Sequence, residues 1–162
     1  MKLLWVGLFM VSLLLTACGY TSRSTMRQNV NTIYIPIFEN QTFRRGLEFD
    51  LTNAIKNEVL FRTRLKVVDK DHADSVLYGE IADVQKFVLI EDPRANITEA
   101  SMDIIINFSW VDLRTGRTIV KKQNITQRAE LITRRKEDEG TAEREAFVDL
   151  AEKVINLMED EW

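Results

Sequence analysis

Cysteine and histidine are the residue types that most often carry chemistry, and this chain has one of each, Cys18 and His72. A zinc site needs three or four ligands, so these two residues cannot build a Cys/His cluster. No serine stands in a Gly-x-Ser-x-Gly turn, and no glycine-rich phosphate loop follows a strand pattern. The sequence therefore predicts a protein with no catalytic residues, no metal and no cofactor, in which His72 is a solvated turn residue.

The residues before Cys18 give it a different chemistry. Met1 and Lys2 supply a positive start, and an apolar run follows from residue 3 to residue 15. The run is shorter than the ~20 residues of a transmembrane helix, but it has the length of the apolar part of a signal peptide. The order Leu-Thr-Ala-Cys at residues 15–18 is that of a bacterial lipobox, in which a peptidase cuts before a cysteine whose thiol carries a diacylglycerol.

The motif predicts lipidation at Cys18 and removal of residues 1–17 as a lipoprotein signal peptide. The alternative is an ordinary secretory signal or a short anchor that happens to contain a cysteine. Cys18 has no second cysteine in the chain to pair with, and acyl chains on it would hold the mature protein on a membrane. Gly19 stands where Asp would favour retention in the inner membrane. We therefore expect the periplasmic side of the outer membrane.

The rest of the chain has the length and composition of one globular domain. Loss of Lys2 with the signal leaves 21 basic residues against 25 acidic ones, a formal net charge of −4. A mildly acidic chain is not a general nucleic-acid binder. The polar residues 18–31 predict a lipidated tether, and residues 32–162 predict a single domain.

Hydrophobic periodicity predicts the elements of this domain. Strands are predicted over residues 32–38, 65–68, 74–90, 98–113 and 118–131, and helices over 46–61 and 141–158. In the first strand Ile33, Ile35 and Ile37 share a face, and Pro36 indicates an edge position or a bulge. Along 98–113 apolar and polar residues alternate, so one face of the sheet should be covered and the other wet.

The element order defines the fold class as α+β. Two amphipathic helices should pack on one face of a mostly antiparallel sheet of four to five strands, giving a two-layer sandwich. A change of face along residues 74–90 predicts a bulge near residues 82–85. Gly116 should allow a hairpin turn before the last strand, and Thr141 is predicted to be the N-cap of the last helix.

Groups of basic residues are the remaining candidates for ligand binding. Solubility alone would explain them, whereas Arg forks and Lys charges also suit phosphates. Arg44 and Arg45 rank first because they precede a helix N-terminus, which favours anions. Lys121 and Lys122 rank second, since neighbours in a strand point to opposite faces and only one can join a given patch. As exposed charges, Arg44 and Arg45 should contribute little to stability.

An ordered set of segments resembles the LptE family of lipopolysaccharide-assembly lipoproteins. The set comprises ACGY at 17–20, IPIFEN at 35–40, FRRGLE at 43–48, Leu51-Thr52, and the stretch from Ala73-Asp74 to YGEI at 78–81. The resemblance implies a non-enzymatic outer-membrane lipoprotein that sits partly inside the LptD-type β-barrel. Together they would deliver lipopolysaccharide to the outer leaflet, and the lipoprotein would help the barrel assemble. Asp103, Asn107 and Ser109 could then meet the polar lumen of such a barrel.

The first half of the chain also resembles another class, the CsgG, TolB amino-terminal and LpoB type of domain. Members of that class act in secretion or activate envelope enzymes, and they share a strand, a Phe-x-Asn loop, a helix and a strand ending in Val-Val-Asp. The second half of this chain, with one long hairpin and a terminal helix, argues against that class. A lipoprotein that is only a structural adaptor is a third interpretation.

Overall fold

A computed structural model describes residues 30–91, 97–132 and 139–160. These residues form the elements β1 Thr32–Tyr34, β2 Glu39–Asn40, α1 Leu47–Arg62, β3 Lys66–Val67, β4 Ser75–Glu91, β5 Ile97–Asp112, β6 Thr118–Ile132 and α2 Glu139–Asp160. A single 3-10 turn, Lys70–His72, connects β3 to β4. Cys18, the signal peptide and nearly all of the predicted tether lie outside the described residues.

The strands form one mixed sheet in the order β3-β1-β4-β5-β6, with β2 beside β4. β1 runs parallel to β3 and β4, whereas β4, β5 and β6 form an antiparallel meander. The α+β prediction is confirmed, but the described sheet has six strands rather than four to five. The extra strand is β2, which follows the predicted first strand of residues 32–38 and was not predicted. The parallel pairings arise because α1 connects β1 to β3.

The interruption lies at Pro36. β1 pairs with the start of β4, residues 35–38 leave the ladder, and β2 resumes the pairing farther along β4. Proline has no backbone N–H to donate, so a break there is expected. The break reverses the faces: Ile37 is 52% exposed and Phe38 only 2%. The prediction that Ile33, Ile35 and Ile37 share one face is therefore wrong for Ile37.

Both helices bury the apolar stripes that the sequence indicated. In α1 the buried residues include Leu47, Leu51, Ile55 and Val59. In α2 they include Ala146, Phe147, Leu150, Ala151, Val154 and Met158. Burial of these stripes against the sheet supplies most of the driving force for folding. Neither helix has a run apolar and long enough to cross a bilayer within the described residues.

The long hairpins show the predicted irregularities and one unpredicted one. The register of β4 on β5 shifts between Ile81 and Asp83, which confirms the predicted bulge. Gly116 adopts φ 69° in the turn before β6, as expected. Asn124 in β6 also has positive φ, 55°, which the sequence did not indicate. The last helix begins at Glu139, so Thr141 lies inside it and is not its N-cap.

Candidate functional site

The sheet has two unlike faces, which we call inner and outer. The inner face packs against α1 and α2 through residues that include Met102, Ile104, Ile106, Phe108 and Trp110. The outer face lies opposite the helices and carries Asp103, Asn107 and Ser109, all of them half-buried. The alternation predicted for β5 is confirmed except at Ser101, which is 2% exposed. Its small side chain sits between the larger Phe87 and Glu130 on the neighbouring strands.

A groove of about 410 Å³ opens on the outer face. Its lining residues come from the β1–β2 break and from β4, β5 and β6: Pro36, Ile37, Glu39, Tyr78, Gly79, Glu80, Asn107, Phe108, Ser109, Lys121, Lys122 and Gln123. Tyr78, Ser109 and Lys121 lie in one row across three strands. The groove thus combines exposed apolar side chains with hydrogen-bonding groups and a cation.

The floor of the groove is ordered by Asn107. Its amide nitrogen donates to the Glu80 Oε1 at 2.7 Å, and its amide oxygen accepts from the backbone N–H of Asn124 at 2.8 Å. The second bond explains the positive φ of Asn124, because a β-bulge in β6 turns this N–H toward β5. Asn107 therefore fixes three strands relative to one another beneath the groove.

The two candidate lysines of β6 point to opposite faces. Lys121 is exposed and pairs with Ser109, so it belongs to the outer face and the groove. Lys122 pairs with the buried Phe108, so its side chain is directed to the inner side, although the residue also borders the groove. The expectation that only one of the pair can join a given patch agrees with this register.

Arg44 is engaged with other parts of the protein. Its Nη2 donates to Glu143 Oε2 at 2.7 Å, and its Nη1 lies 2.8 Å from the sulfur of Met102. Glu143 is only 8% exposed. The guanidinium therefore ties the loop before α1 to β5 and to the start of α2. The Arg44 side chain is 40% exposed, but its partner Glu143 is largely buried, so we expect Arg44 to contribute more to stability than a solvated charge would.

The N-terminus of α1 already holds a carboxylate of the chain itself. Glu48 Oε2 accepts from the backbone N–H of Gly46 at 3.1 Å and from the Asn40 amide at 2.7 Å. The Asn40 bond, followed by smaller effects that include the charge of Arg45, holds the pKa of Glu48 below its usual value. The anion-binding capacity expected at this helix end is thus used internally.

The four candidate cations do not form one patch. Arg45 is exposed beside α1, and Arg44 reaches the inner face at Met102. Phe108, the partner of Lys122, lies six residues farther along β5, roughly 20 Å away at the rise of a strand. Lys121 is on the other side of the sheet. Any shared anionic ligand would have to reach around an edge of the sheet.

A bidentate ion pair stabilises the outer face of the β5–β6 hairpin. The Arg128 guanidinium donates to both Asp103 carboxylate oxygens, at 2.7 and 2.8 Å. The two residues are directly opposite in the ladder. The hydrogen bonds from Arg128, more than its charge alone, hold the pKa of Asp103 below its usual value.

We expect Asp103→Asn to lower the free energy of unfolding by about 1 kcal/mol at neutral pH, since the pair is bidentate but half open to water. A carboxyl with a depressed folded-state pKa stabilises above the unfolded pKa, about 3.9, and this contribution disappears as the pH falls through the folded pKa. The difference between wild type and variant should therefore narrow as the pH falls below the unfolded pKa and through the lower folded-state pKa of Asp103. Urea titrations across this range measure it.

Asp71→Asn is the matched control, because it removes the same charge from the exposed 3-10 turn. A difference between wild type and Asp103→Asn that stays constant from neutral to acid pH would contradict the role given to Arg128.

The described residues contain no group of three or more metal-binding side chains. His72 is exposed in the 3-10 turn, as predicted for a solvated turn residue. Its backbone carbonyl accepts a hydrogen bond from Thr32 Oγ1 at 3.1 Å. This bond links β1 to the turn that precedes β4.

Sequence reasoning missed the apolar part of the groove, Ile37 and Tyr78. The proline at residue 36 was the available signal, because a one-residue bulge there exchanges the faces of every residue that follows. Tyr78 is 47% exposed beside it. Its exposure follows from its place between Leu77 and Gly79, both on the inner face.

Comparison with solved structures places this architecture among bacterial lipoproteins. An uncharacterised lipoprotein B from Nitrosomonas europaea is similar over 87% of both chains, with a TM-score of 0.60 and 14% identity. Rare lipoprotein B from Shewanella oneidensis gives 0.51 and 15%, covering 79% of this chain and 93% of its own. A PelC dodecamer from Paraburkholderia phytofirmans gives 0.52 and 12%, covering 81% and 90%. At these identities the likeness is one of fold.

The family follows from the sequence itself. The model of the LptE family, described as lipopolysaccharide-assembly, matches residues 30–158. The chain therefore belongs to the LptE family, a family of non-enzymatic outer-membrane lipoproteins that act in lipopolysaccharide assembly. No curated protein sequence matches the chain significantly.

Proposed function

We propose that this protein is a lipid-anchored, non-enzymatic partner of an LptD-type β-barrel, with which it transports lipopolysaccharide and inserts it into the outer leaflet. It would also assist assembly of the barrel. The observation that carries the proposal is the family match, which extends over nearly the whole described domain. Lipidation at Cys18 would hold the mature chain on the periplasmic side of the outer membrane.

The outer face supports contact with a barrel. Lumens of large outer-membrane barrels are polar, so a domain inside one needs a polar surface that is already rigid. Asp103 and Arg128 neutralise one another on this face, and Asn107 satisfies Glu80. Such a surface meets a polar wall with these side chains already hydrogen-bonded to one another.

The proposal predicts capture of the barrel from the outer face. Tyr78 is 47% exposed on this face, and Phe49 is 52% exposed on α1, on the helix side. A photoreactive phenylalanine analogue at residue 78 should crosslink to a large outer-membrane barrel in cells. The same analogue at residue 49 is the matched control and should give much less of that product. Mass spectrometry of the adducts identifies the partner.

Three results would contradict the proposal. Capture of only a second copy at residue 78 would favour a ring of identical subunits, as in the secretion-channel class. Capture of a periplasmic enzyme would favour an activator of the LpoB type. Absence of any barrel adduct from every outer-face position would leave the adaptor interpretation.

Lipid A carries phosphates, and we propose that Lys121 contacts them from the outer face of the sheet. Arg45 lies on the helix side and would contact a separate anionic group, with Arg44 and Lys122 in lesser roles. Lys121 lies in a groove that also offers Ile37 and Tyr78 to apolar groups. Lys121→Glu should weaken lipopolysaccharide binding about five- to tenfold, the effect of one charge-assisted contact of about 1 kcal/mol or more. The remaining binding should depend less on salt. Titration of the purified protein at two salt concentrations measures both.

The control is Lys70→Glu, which makes the same charge change on the exposed 3-10 turn. Because Lys121 is exposed, its replacement should leave the melting temperature nearly unchanged. Arg44→Glu should instead lower it, since two carboxylates would meet at Glu143. Equal binding by wild type, Lys121→Glu and Arg45→Glu would remove both residues from the site.

A further inference from the structure

The side of α1 that faces away from the sheet carries large apolar residues in water. Phe49, Leu60 and Phe61 are 52%, 58% and 87% exposed, and Phe43 in the preceding loop is completely exposed. Single exposed apolar residues are ordinary, but several along one helix mark an interaction surface. We call Phe43, Phe49, Leu60 and Phe61 the α1 outer side.

Phe49 and Leu60 lie on one line along the helix. Leu60 follows Phe49 by about three helical turns, so the two side chains point the same way and lie roughly 16 Å apart, while Phe61 points about 100° around the helix from Leu60 and borders this line. The residues between Phe49 and Leu60 on this side are Asn53, Lys56 and Asn57. Neutral and basic residues interspersed with Phe and Leu are typical of helices that lie in a membrane interface.

The charges around the α1 outer side favour an anionic surface. Lys56 lies within it, and Arg64 and Lys66 are exposed just beyond its C-terminal end. Asp50 is the exposed carboxylate on this side of the helix. The carboxylates of Glu48 and Glu58 are engaged with Asn40 and Arg62 respectively. The local balance is positive although the chain as a whole is acidic, which suits anionic phospholipid headgroups.

The chain enters the domain at the same end of α1. The backbone N–H of Lys66, in the strand that follows α1, donates to the Asn31 carbonyl at 3.0 Å. Residues 18–29 precede this point, and twelve residues can span at most about 40 Å. An anchor at Cys18 would thus hold the C-terminal end of α1 within reach of the bilayer surface.

We propose that the α1 outer side is a membrane-docking face, which lays the domain on the phospholipid leaflet that holds its anchor before a barrel encloses it. This inference rests on the proposed lipidation at Cys18. Docking turns α1 toward the lipid and leaves the outer face of the sheet, on the opposite layer, free to meet the barrel.

The test uses the full lipidated protein in vesicles of phosphatidylethanolamine and phosphatidylglycerol, without a barrel. Cys18 is the only native cysteine, so once it is alkylated an introduced cysteine is the only free thiol. Leu60→Cys places a fluorophore on the α1 outer side. Leu113→Cys, at a leucine 41% exposed beside the β5–β6 turn, is the matched control. Nitroxide-bearing lipids quench a fluorophore that reaches the bilayer.

We expect quenching at residue 60 to exceed that at residue 113 by about threefold or more, and replacement of Phe49 and Phe61 by Ser to remove most of the difference. Circular dichroism confirms that the variants are folded. If Cys18 is lipidated and the two positions are quenched equally, membrane docking is refuted but the lipid anchor is not. A label at residue 60 already shielded from aqueous iodide without vesicles would also overturn it, because residues 18–29 or a second copy would cover the face.

Lipidation of Cys18 is measured separately from membrane docking. The mass of the N-terminal peptide shows whether Cys18 carries its acyl chains. A mass without them, in protein that washes off the vesicles, would refute both the anchor and the docking that depends on it.

Discussion

Gly79→Ala should destabilise the domain by about 3 kcal/mol, because there is no room for a methyl group at this position. Gly79 lies on the inner face of β4, opposite Phe108. A Cβ built on it would overlap three atoms of the Phe38 ring. That ring is 2% exposed and lies between β4 and α1, where the Phe38 backbone N–H donates to Thr52 Oγ1 at 3.0 Å. The ring cannot move aside without becoming exposed, so we expect the overlap to destabilise the folded domain.

A double-mutant cycle tests this explanation against a general intolerance of β4 to substitution. Phe38→Ala removes the obstacle, so Gly79→Ala in that background should cost less than about 0.5 kcal/mol or even stabilise, since Ala is favoured over Gly within a strand. Urea denaturation of the four proteins gives the coupling energy. The same cost in both backgrounds would show that Phe38 is not the reason for glycine at this position.

The predictable part of the fold is the part governed by repeating patterns. The alternation along β5 identified the inner face from Met102 to Trp110, and the stripe of α1 identified its buried side from Leu47 to Val59. The helical pattern persists over several turns and the strand pattern over several residue pairs. In each element the apolar side is the one that is buried. The element order and the fold class followed from them.

The unpredicted features each depend on one residue or on contacts distant in sequence. Pro36 could indicate an edge or a bulge, and only the bulge exposes Ile37 and buries Phe38. The requirement for glycine at residue 79 depends on that choice, because it is Phe38 that fills the space. A sequence pattern cannot resolve a register shift of one residue when both registers offer apolar side chains.

The features of the candidate site divide in the same way, into those that a repeating pattern predicts and those that depend on distant contacts. The opposite orientations of Lys121 and Lys122 follow from the period of a strand and were expected. The partner of Arg44 was not, since Glu143 lies 99 residues away along the chain. The groove was missed altogether, because its apolar residues reach the outer face only through the bulge at Pro36. Binding surfaces assembled from irregular segments are therefore the least accessible to sequence reasoning.

Two layers of the domain are thus assigned to two different environments. The outer face of the sheet carries hydrogen-bonded polar groups, such as the ion pair of Asp103 and Arg128. The α1 outer side is apolar and locally basic. A lipoprotein that docks on a membrane before it enters a barrel needs both surfaces. Because the two surfaces lie on opposite layers, one can be occupied while the other is free.

Trp110→Ala should cost about 4 kcal/mol, the largest loss we expect from a single truncation in this chain. Among the residues that the structure describes, Trp110 is the largest fully buried side chain. It lies on the interior strand β5, with the buried residues Leu77 and Val120 opposite it on the two neighbouring strands. Its removal leaves a cavity beneath the helices that the surrounding strands cannot close. Since small domains are stable by only about 5–15 kcal/mol, this loss is a large share of the total and should lower the melting temperature markedly.

Thermal and urea denaturation followed by far-ultraviolet circular dichroism measure this loss without relying on the tryptophan signal. Trp110→Phe should be much less harmful, because most of the apolar volume is retained. Leu113→Ala, three residues along and 41% exposed, should change the free energy of unfolding by less than about 0.5 kcal/mol. Truncations of this kind typically lower the free energy of unfolding by about 3–5 kcal/mol. If Trp110→Ala lowers it by less than about 1 kcal/mol, the ring is not packed between sheet and helices.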